Sequence, residues 1–225
     1  MELADAIRTT GAVRHFTDEP VDDATLYALL DDARFAPSGG NRQGWRVAVA
    51  RDPALRVQLG TLMREVWDEY AAISATGHTP FASVAPAAYA LASVTPGATP
   101  NDLLDHIADI PVVLVIAADL SQVAMMDKDL DRPAITGGAS IYPFCWNALL
   151  AARSRGLGGV LTTFLARAEP QAASMLGLPD TYAIAGVLFL GHPVHQPTRL
   201  KRKPVESFTT VDRFDGPSFD PPTPT

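Results

Sequence analysis

Residues 36–45 read Ala-Pro-Ser-Gly-Gly-Asn-Arg-Gln-Gly-Trp, "APSGGNRQGW", and stand between a helical pattern and a β-rich run. A helix-to-strand connection ordinarily needs a few residues and one glycine. This one carries a proline, three glycines, a serine and two side-chain amides before it reaches Trp45. Upstream, Pro20 and Asp22 open a helix, and Leu26, Leu29, Leu30 and Ala33 recur at helical spacing. Downstream, "WRVAVARD" reads as a strand ended by charge and by Pro53. The join therefore does more than connect: its glycines let backbone N–H groups come close to a ligand.

Working outward, residues 2–9 read as a short helix. From Ala54, the residues Leu55, Leu59, Leu62, Met63 and Val66 mark one face of a long helix running towards Tyr70. Residues 74–101 then lose all periodicity and become rich in Ala, Ser, Thr, Pro and Gly. Long irregular segments of this kind are often lids or binding loops, and residues 74–109 are read as a variable lid over a substrate pocket. "IPVVLVIAA" is a buried strand by its β-branched composition. The charge cluster "DKDLDR" reads as a solvated turn or short helix. Ile141, Cys145, Ala148, Leu149 and Ala152 share a helical face, with Pro143 near the helix start and Gly156 as its stop. "GLGGVLTTF" reads as a turn, "PQAASML" as a short helix and "YAIAGVLFLG" as another buried strand. The proline-rich tail, residues 205–225, reads as an extended segment that cannot fold on itself. Helices and strands mix without a βαβα repeat. The expected class is α+β, a single domain over residues 1–225 with a small mixed sheet flanked by helices.

The bulk composition narrows the function classes. A hydrophobic share of 47% and a charged share of 19% fit a folded domain and argue against disorder. Twenty-five acids against eighteen Lys and Arg give a net charge of −7, with no basic stripe for a nucleic acid. The single cysteine, Cys145, permits no intrachain disulfide and falls in an apolar helix, as a small core residue does. "MELADAIRTTG" has no apolar signal core, and the apolar runs are too short to span a bilayer. The expectation is a cytoplasmic protein that binds neither membrane nor nucleic acid.

Ordinary catalytic sets are missing. His192 and His195 flank Pro193 in a loop without a third ligand, and the acids of residues 119–135 lack the glycine and terminal glutamate of a calcium loop, so no metal is expected. There is no G-x-S-x-G, Walker A or G-x-G-x-x-G, and the "GLGG" of residues 156–159 follows a helix instead of opening one. What remains is distributed. Arg8, Thr9, Thr10 and Arg14 surround Gly11, and Lys201, Arg202 and Lys203 cluster near the other end. Read alone, these are either two solvated patches or two halves of one phosphate site. Joined with the "PSGGN" and "GGVLTT" loops, they suggest a flat, phosphorylated, hydrogen-bonding cofactor.

Three stretches give that cofactor a name. "VRHFTDEPVDDATLYALLDDARFAPSGGNRQGWRVAVA", "ASIYPFCWNALLAARSRGLGGVLTTF" and "GHPVHQPTRLKRKPVESF" resemble, in order, the opening, the central helix with its Gly-Leu-Gly turn, and the closing basic motif of the FMN-dependent nitroreductase family. The resemblance implies an intertwined homodimer with FMN at the subunit interface. It also implies ping-pong transfer of hydride from NAD(P)H, through the flavin, to a small nitroaromatic or quinone-type acceptor. It places Pro37, Ser38, Gly39 and Asn41 against a flavin held mainly by the other subunit, with Trp45 anchoring the loop. Arg14 falls beside the pyrimidine end of the isoalloxazine, where a cation stabilises charge at N1 and O2. The backbone of Leu161 and Thr162 faces N5 and O4, and Arg202 with Lys201 meets the phosphate. No side chain is implied as a catalytic acid or base. Two departures stand out. Gly11 and Ala12 occupy positions where the family often has a basic residue and a serine, which shifts the phosphate contacts to Arg8 and Thr10. Gly44 replaces the usual proline, which implies a looser loop. The alternatives are a flavin-binding protein that stores FMN without turnover, and a specialised relative such as a reductive dehalogenase or a flavin-consuming enzyme.

Overall fold

The computed structural model describes residues 1–83 and 99–222. The residues 84–98 of the irregular segment lie outside that description. The order of elements is α1 (Leu3–Thr9), α2 (Asp23–Ala33), β1 (Trp45–Val49), α3 (Pro53–Ala75), α4 (Asp102–Asp105), β2 (Val112–Asp119), α5 (Tyr142–Ser154), β3 (Gly158–Thr162), α6 (Phe164–Arg167), α7 (Glu169–Leu176) and β4 (Tyr182–Gly191).

Local chemistry sets the boundaries. The carboxylate of Asp22 accepts a hydrogen bond from the Thr25 amide and caps α2, as its placement after Pro20 suggests. Asp52 caps α3 in the same way through the Ala54 amide, with Pro53 in the first turn. Gly177 stops α7 in the left-handed conformation, with φ of 60°.

The strands form one sheet in the order β1-β2-β4-β3, and every neighbouring pair is antiparallel. The expectation of a mixed sheet is met only by an isolated parallel bridge between Ala12 and Gly159. β2 is buried along its whole length, because helices cover both faces of the sheet. Its side chains alternate between two cores. Leu114 and Ile116 meet α2 and α5 through Leu29, Phe144 and Cys145. Val113 and Val115 meet α3 and α6 through Leu59, Met63 and Leu165. A register shift between Ile116 and Ala117 lies opposite Gly186, where β4 passes β3.

Two sequence expectations change. Gly158 to Thr162 form a strand and not a turn, for a steric reason. A Cβ on Gly159 would lie 2.4 Å from Leu190 Cδ2, and one on Gly158 would lie 2.6 Å from Val13 Cγ2. The tail also folds back on itself locally. The Val211 amide donates to the Pro217 carbonyl and the Phe219 amide to the Thr209 carbonyl, closing a loop braced by the Arg213–Asp215 pair. Phe208, Phe214 and Phe219 are left exposed. Among the described residues, no helix is long and apolar enough to cross a membrane.

Candidate functional site

At the β3 edge of the sheet, the chain surrounds a cavity of about 630 Å³. Arg14, Leu161 and Thr162, singled out from the sequence, all line it. Alternation along β3 separates their roles. The Leu161 side chain packs into the α2–α5 core, whereas Val160 lies in the α3–α6 core. Thr162, two residues on from Val160, turns the same way, towards the cavity. Only the backbone of Leu161 is left to serve a ligand. The Thr162 hydroxyl is buried without a hydrogen-bond partner. An unmet buried hydroxyl costs roughly 1–3 kcal/mol, and a rotation about χ1 would offer it to a bound molecule.

The opposite wall is aromatic and escaped sequence reasoning. Trp67 and Tyr70 stack with ring centroids 5.7 Å apart and planes 15° from parallel, and Phe164 stands edge-on to both. Two aromatics three residues apart, late on the apolar face of α3, were the available signal. The Trp67 indole N–H donates to the Thr99 carbonyl, as does Arg64 Nη1, so α3 fixes the chain where it enters α4. His15 and Asp102 meet at the rim, 3.9 Å apart.

The basic segments converge. The Gln196 amide donates to the Thr9 carbonyl at 3.1 Å, and Gly11 lies directly beneath Leu200 and Pro197. Among the described residues, the cations with neither an acidic partner nor a hydrogen bond to another element are Arg8, Arg14, Arg199, Lys201, Arg202 and Lys203. All belong to the two segments that meet at Gly11, in a chain whose net charge is −7. Such a gathering suits an anion. Thr10 departs from its expected role. Its hydroxyl and its amide both donate to the Ala6 carbonyl at the end of α1, which leaves it no free donor for a phosphate.

The Pro37–Asn41 loop is not at this cavity. It precedes β1, at the other edge of the sheet, three strand spacings or about 14 Å away across β2 and β4. The loop is held firmly all the same. Gly40 and Asn41 take positive φ angles of 61° and 52°, the Ser38 hydroxyl accepts from the Gln43 amide, and the Gly39 amide donates to the Ser140 hydroxyl. Trp45 anchors it by stacking on Phe144 at 5.2 Å. Gly44 is not slack either: a Cβ there would lie 3.1 Å from Gln122 and 3.2 Å from Val123 Cγ2, and its carbonyl accepts from the Asp119 amide.

The charge cluster of residues 119–135 supports this loop from below. Asp127 is buried and accepts from the Thr136 hydroxyl, the Ile135 and Thr136 amides and Arg132. These bonds hold its carboxyl far below the usual range, the Thr136 hydroxyl contributing most. The turn so fixed carries Ser140 to Gly39. No group of three or more metal-ligating side chains occurs among the described residues. Cys145 is a core residue, its thiol pushed up to about 12 by burial.

An antiparallel sheet sandwiched by helices, with a lined cavity at one edge and a rigid glycine loop at the other, defines the class, and comparison with known proteins agrees. The sequence profile of the nitroreductase family matches residues 7–192, and the chain belongs to that family. It is therefore an oxidoreductase of the flavoprotein type. It is 25% identical to an NADH dehydrogenase of Thermus thermophilus, over 87% of this chain and 88% of that protein. It is 27% identical to a nitrobenzene nitroreductase of Ectopseudomonas oleovorans (92% and 96% covered), and 28% identical to a 5,6-dimethylbenzimidazole synthase of Rhodospirillum rubrum (84% and 82%). Among solved structures, nitroreductase A of Vibrio parahaemolyticus superposes with a TM-score of 0.68 at 21% identity, covering 93% of this chain and 75% of that one. The NADPH:FMN oxidoreductase of Vibrio harveyi complexed with NAD+ gives 0.67 at 20% identity, covering 93% and 76%.

Proposed function

We propose that the protein is an FMN-dependent oxidoreductase that takes hydride from NAD(P)H and passes it to a small nitroaromatic or quinone-type acceptor, working as a homodimer. The observation that carries this reading is the split of the candidate residues between the two edges of the sheet. One chain cannot bring Arg14 and Asn41 to the same ring, but a cavity from one subunit and a loop from its partner can. The exposed Tyr27, Phe35, Phe208 and Phe214 give the chain apolar surface that a second copy would cover.

The residues present fit FMN. The unpaired cations around Gly11 suit its phosphate, the unmet Thr162 hydroxyl and the free backbone beside it suit a polar ring edge, and the cavity has room for a ring. When bound, FMN supplies the hydride relay between donor and acceptor. This chain's residues do the rest. Arg14 sets a positive charge beside the ring, Arg8, Lys201 and Arg202 hold the phosphate, and Trp67, Tyr70 and Phe164 exclude water and offer flat apolar surface to an acceptor. The Pro37–Asn41 loop of the partner closes the site.

The decisive experiment is NAD(P)H oxidation by the purified protein, with and without menadione. Menadione-dependent turnover supports the proposal. A yellow protein that oxidises neither NADH nor NADPH would instead be a flavin store. The likeness to a 5,6-dimethylbenzimidazole synthase favours, as a second reading, a specialised relative that consumes its flavin. Loss of FMN in aerobic turnover without an added acceptor would mark that case.

A further inference from the structure

The joint between the two basic segments is built entirely from uncharged groups. Gln196 Nε2 donates to the carbonyls of Thr9 and Pro197. Gly11 is buried, and a Cβ on it would lie 2.8 Å from Leu200 Cδ2 and 2.9 Å from Pro197 Cβ, closer than real side chains pack. The Thr9 hydroxyl accepts from Arg153 Nε of α5, and the Val13 amide donates to the Gly159 carbonyl of β3. Gly158 leaves room for Val13 and for the buried Gln196 Oε1, which has no partner. The joint is thus clamped between α5 and β3 without a carboxylate taking part.

This arrangement solves a specific problem. The cations on either side of the joint repel one another, and an acid placed to hold them would compete with any anion they were meant to bind. A neutral joint gathers them and leaves their charges free. The repulsion is relieved only when an anion arrives, so the folded chain carries the cost of preorganising the site.

We propose that Gln196 and Gly11 are positioning residues for the phosphate end of the cofactor site, acting through Arg8, Lys201 and Arg202. The inference rests on the FMN reading above. It makes a demand that a general packing role does not, because loosening the joint should affect only a ligand that bears a phosphate.

The test is to compare FMN with riboflavin, which has the same ring and ribityl chain but no phosphate. The probe is quenching of flavin fluorescence by the apoprotein. Gln196→Met keeps the bulk of the side chain while removing two hydrogen bonds and the unpartnered oxygen, and Gly11→Ala pushes Leu200 and Pro197 away. The wild type should bind FMN well over tenfold more tightly than riboflavin, given at least one charge-assisted phosphate contact. Gln196→Met should weaken FMN by roughly three- to tenfold, the scale of one or two neutral hydrogen bonds, and leave riboflavin within about twofold. Equal weakening of both flavins, or of neither, overturns the proposal. A wild type that fails to prefer FMN overturns the cofactor reading itself, a distinct result. If Gly11→Ala does not fold, Gln196→Met decides the question alone.

Discussion

Arg14 and Arg202 should fail in different ways when truncated, and the difference tests where the flavin lies. Arg14 lines the cavity with Leu161 and Thr162, whereas Arg202 belongs to the segment seated on Gly11. Neither is paired with an acid, and the only recorded bond from Arg202 is to the carbonyl of its own neighbour Lys201. Truncation therefore removes no ion pair from the fold, and the apoprotein should keep its stability within about 0.5 kcal/mol, as ordinary surface substitutions do. Ligand binding should change much more. A hydrogen bond to a charged group is worth about 1.5–3 kcal/mol, so Arg202→Ala should weaken FMN roughly ten- to a hundredfold. Arg14→Ala should weaken FMN less but lower its reduction potential, since the reduced ring is anionic and loses a counter-charge that the neutral oxidised ring hardly needs. For a two-electron couple, about 30 mV corresponds to 1.4 kcal/mol of that difference. Redox titration of the FMN-saturated variants measures it. An unchanged potential in Arg14→Ala, or a larger drop in Arg202→Ala, would show that the two arginines have been assigned to the wrong ends of the cofactor.

Heat should release FMN and not FAD, because the sequence has no dinucleotide fingerprint for an adenylate half; one FAD per chain would refute this. Sedimentation should find a dimer, with an interface above the standard size of roughly 1,600 Å², and a flavin-loaded monomer at micromolar concentration would count against it. The Asp127 carboxyl titrates lower in the folded chain than in the unfolded one, so its contribution is present above the unfolded value of about 3.9 and is lost as pH falls below it. Asp127→Asn should therefore lower the Tm at neutral pH and flatten its decline between about pH 5 and pH 3; an equally steep decline would remove Asp127 from the acid response. Cys145, buried with its thiol pushed up to about 12, should stay unmodified by Ellman's reagent at pH 8 until the chain unfolds, and rapid labelling of the native protein would contradict its burial.

Much of this could be read from the sequence wherever a single physical rule governs a segment. The 3.6-residue period of α2, α3 and α5 and the β-branched run of β2 report burial directly, and the structure buries those positions. β3 failed because Gly158 and Gly159 look like turn residues. Their lack of side chains answers to Leu190 and Val13, contacts that exist only after folding. Strand direction was equally hidden, since four short strands joined by long crossovers fit several sheet orders. At the site, Arg14, Leu161 and Thr162 were legible through family motifs and do share a cavity. Thr10 was misleading, because nothing in its sequence tells that its hydroxyl closes α1. Trp67 and Tyr70 passed as core residues. A helical stripe looks the same from sequence whether it ends in packing or in a pocket.

The distance between the two edges of the sheet has a consequence for how the protein should behave on dilution. If each flavin is shared between two chains, cofactor binding and subunit association are linked equilibria, and each must strengthen the other by the same factor. Apparent FMN affinity would then rise with protein concentration, and added FMN would hold dimers together where the apoprotein dissociates. A cell short of riboflavin would face separated subunits as well as empty sites, and the exposed phenylalanines of the tail would become a hazard for aggregation. Flavin supply would in that way govern how much of this protein persists, as well as how much of it is active.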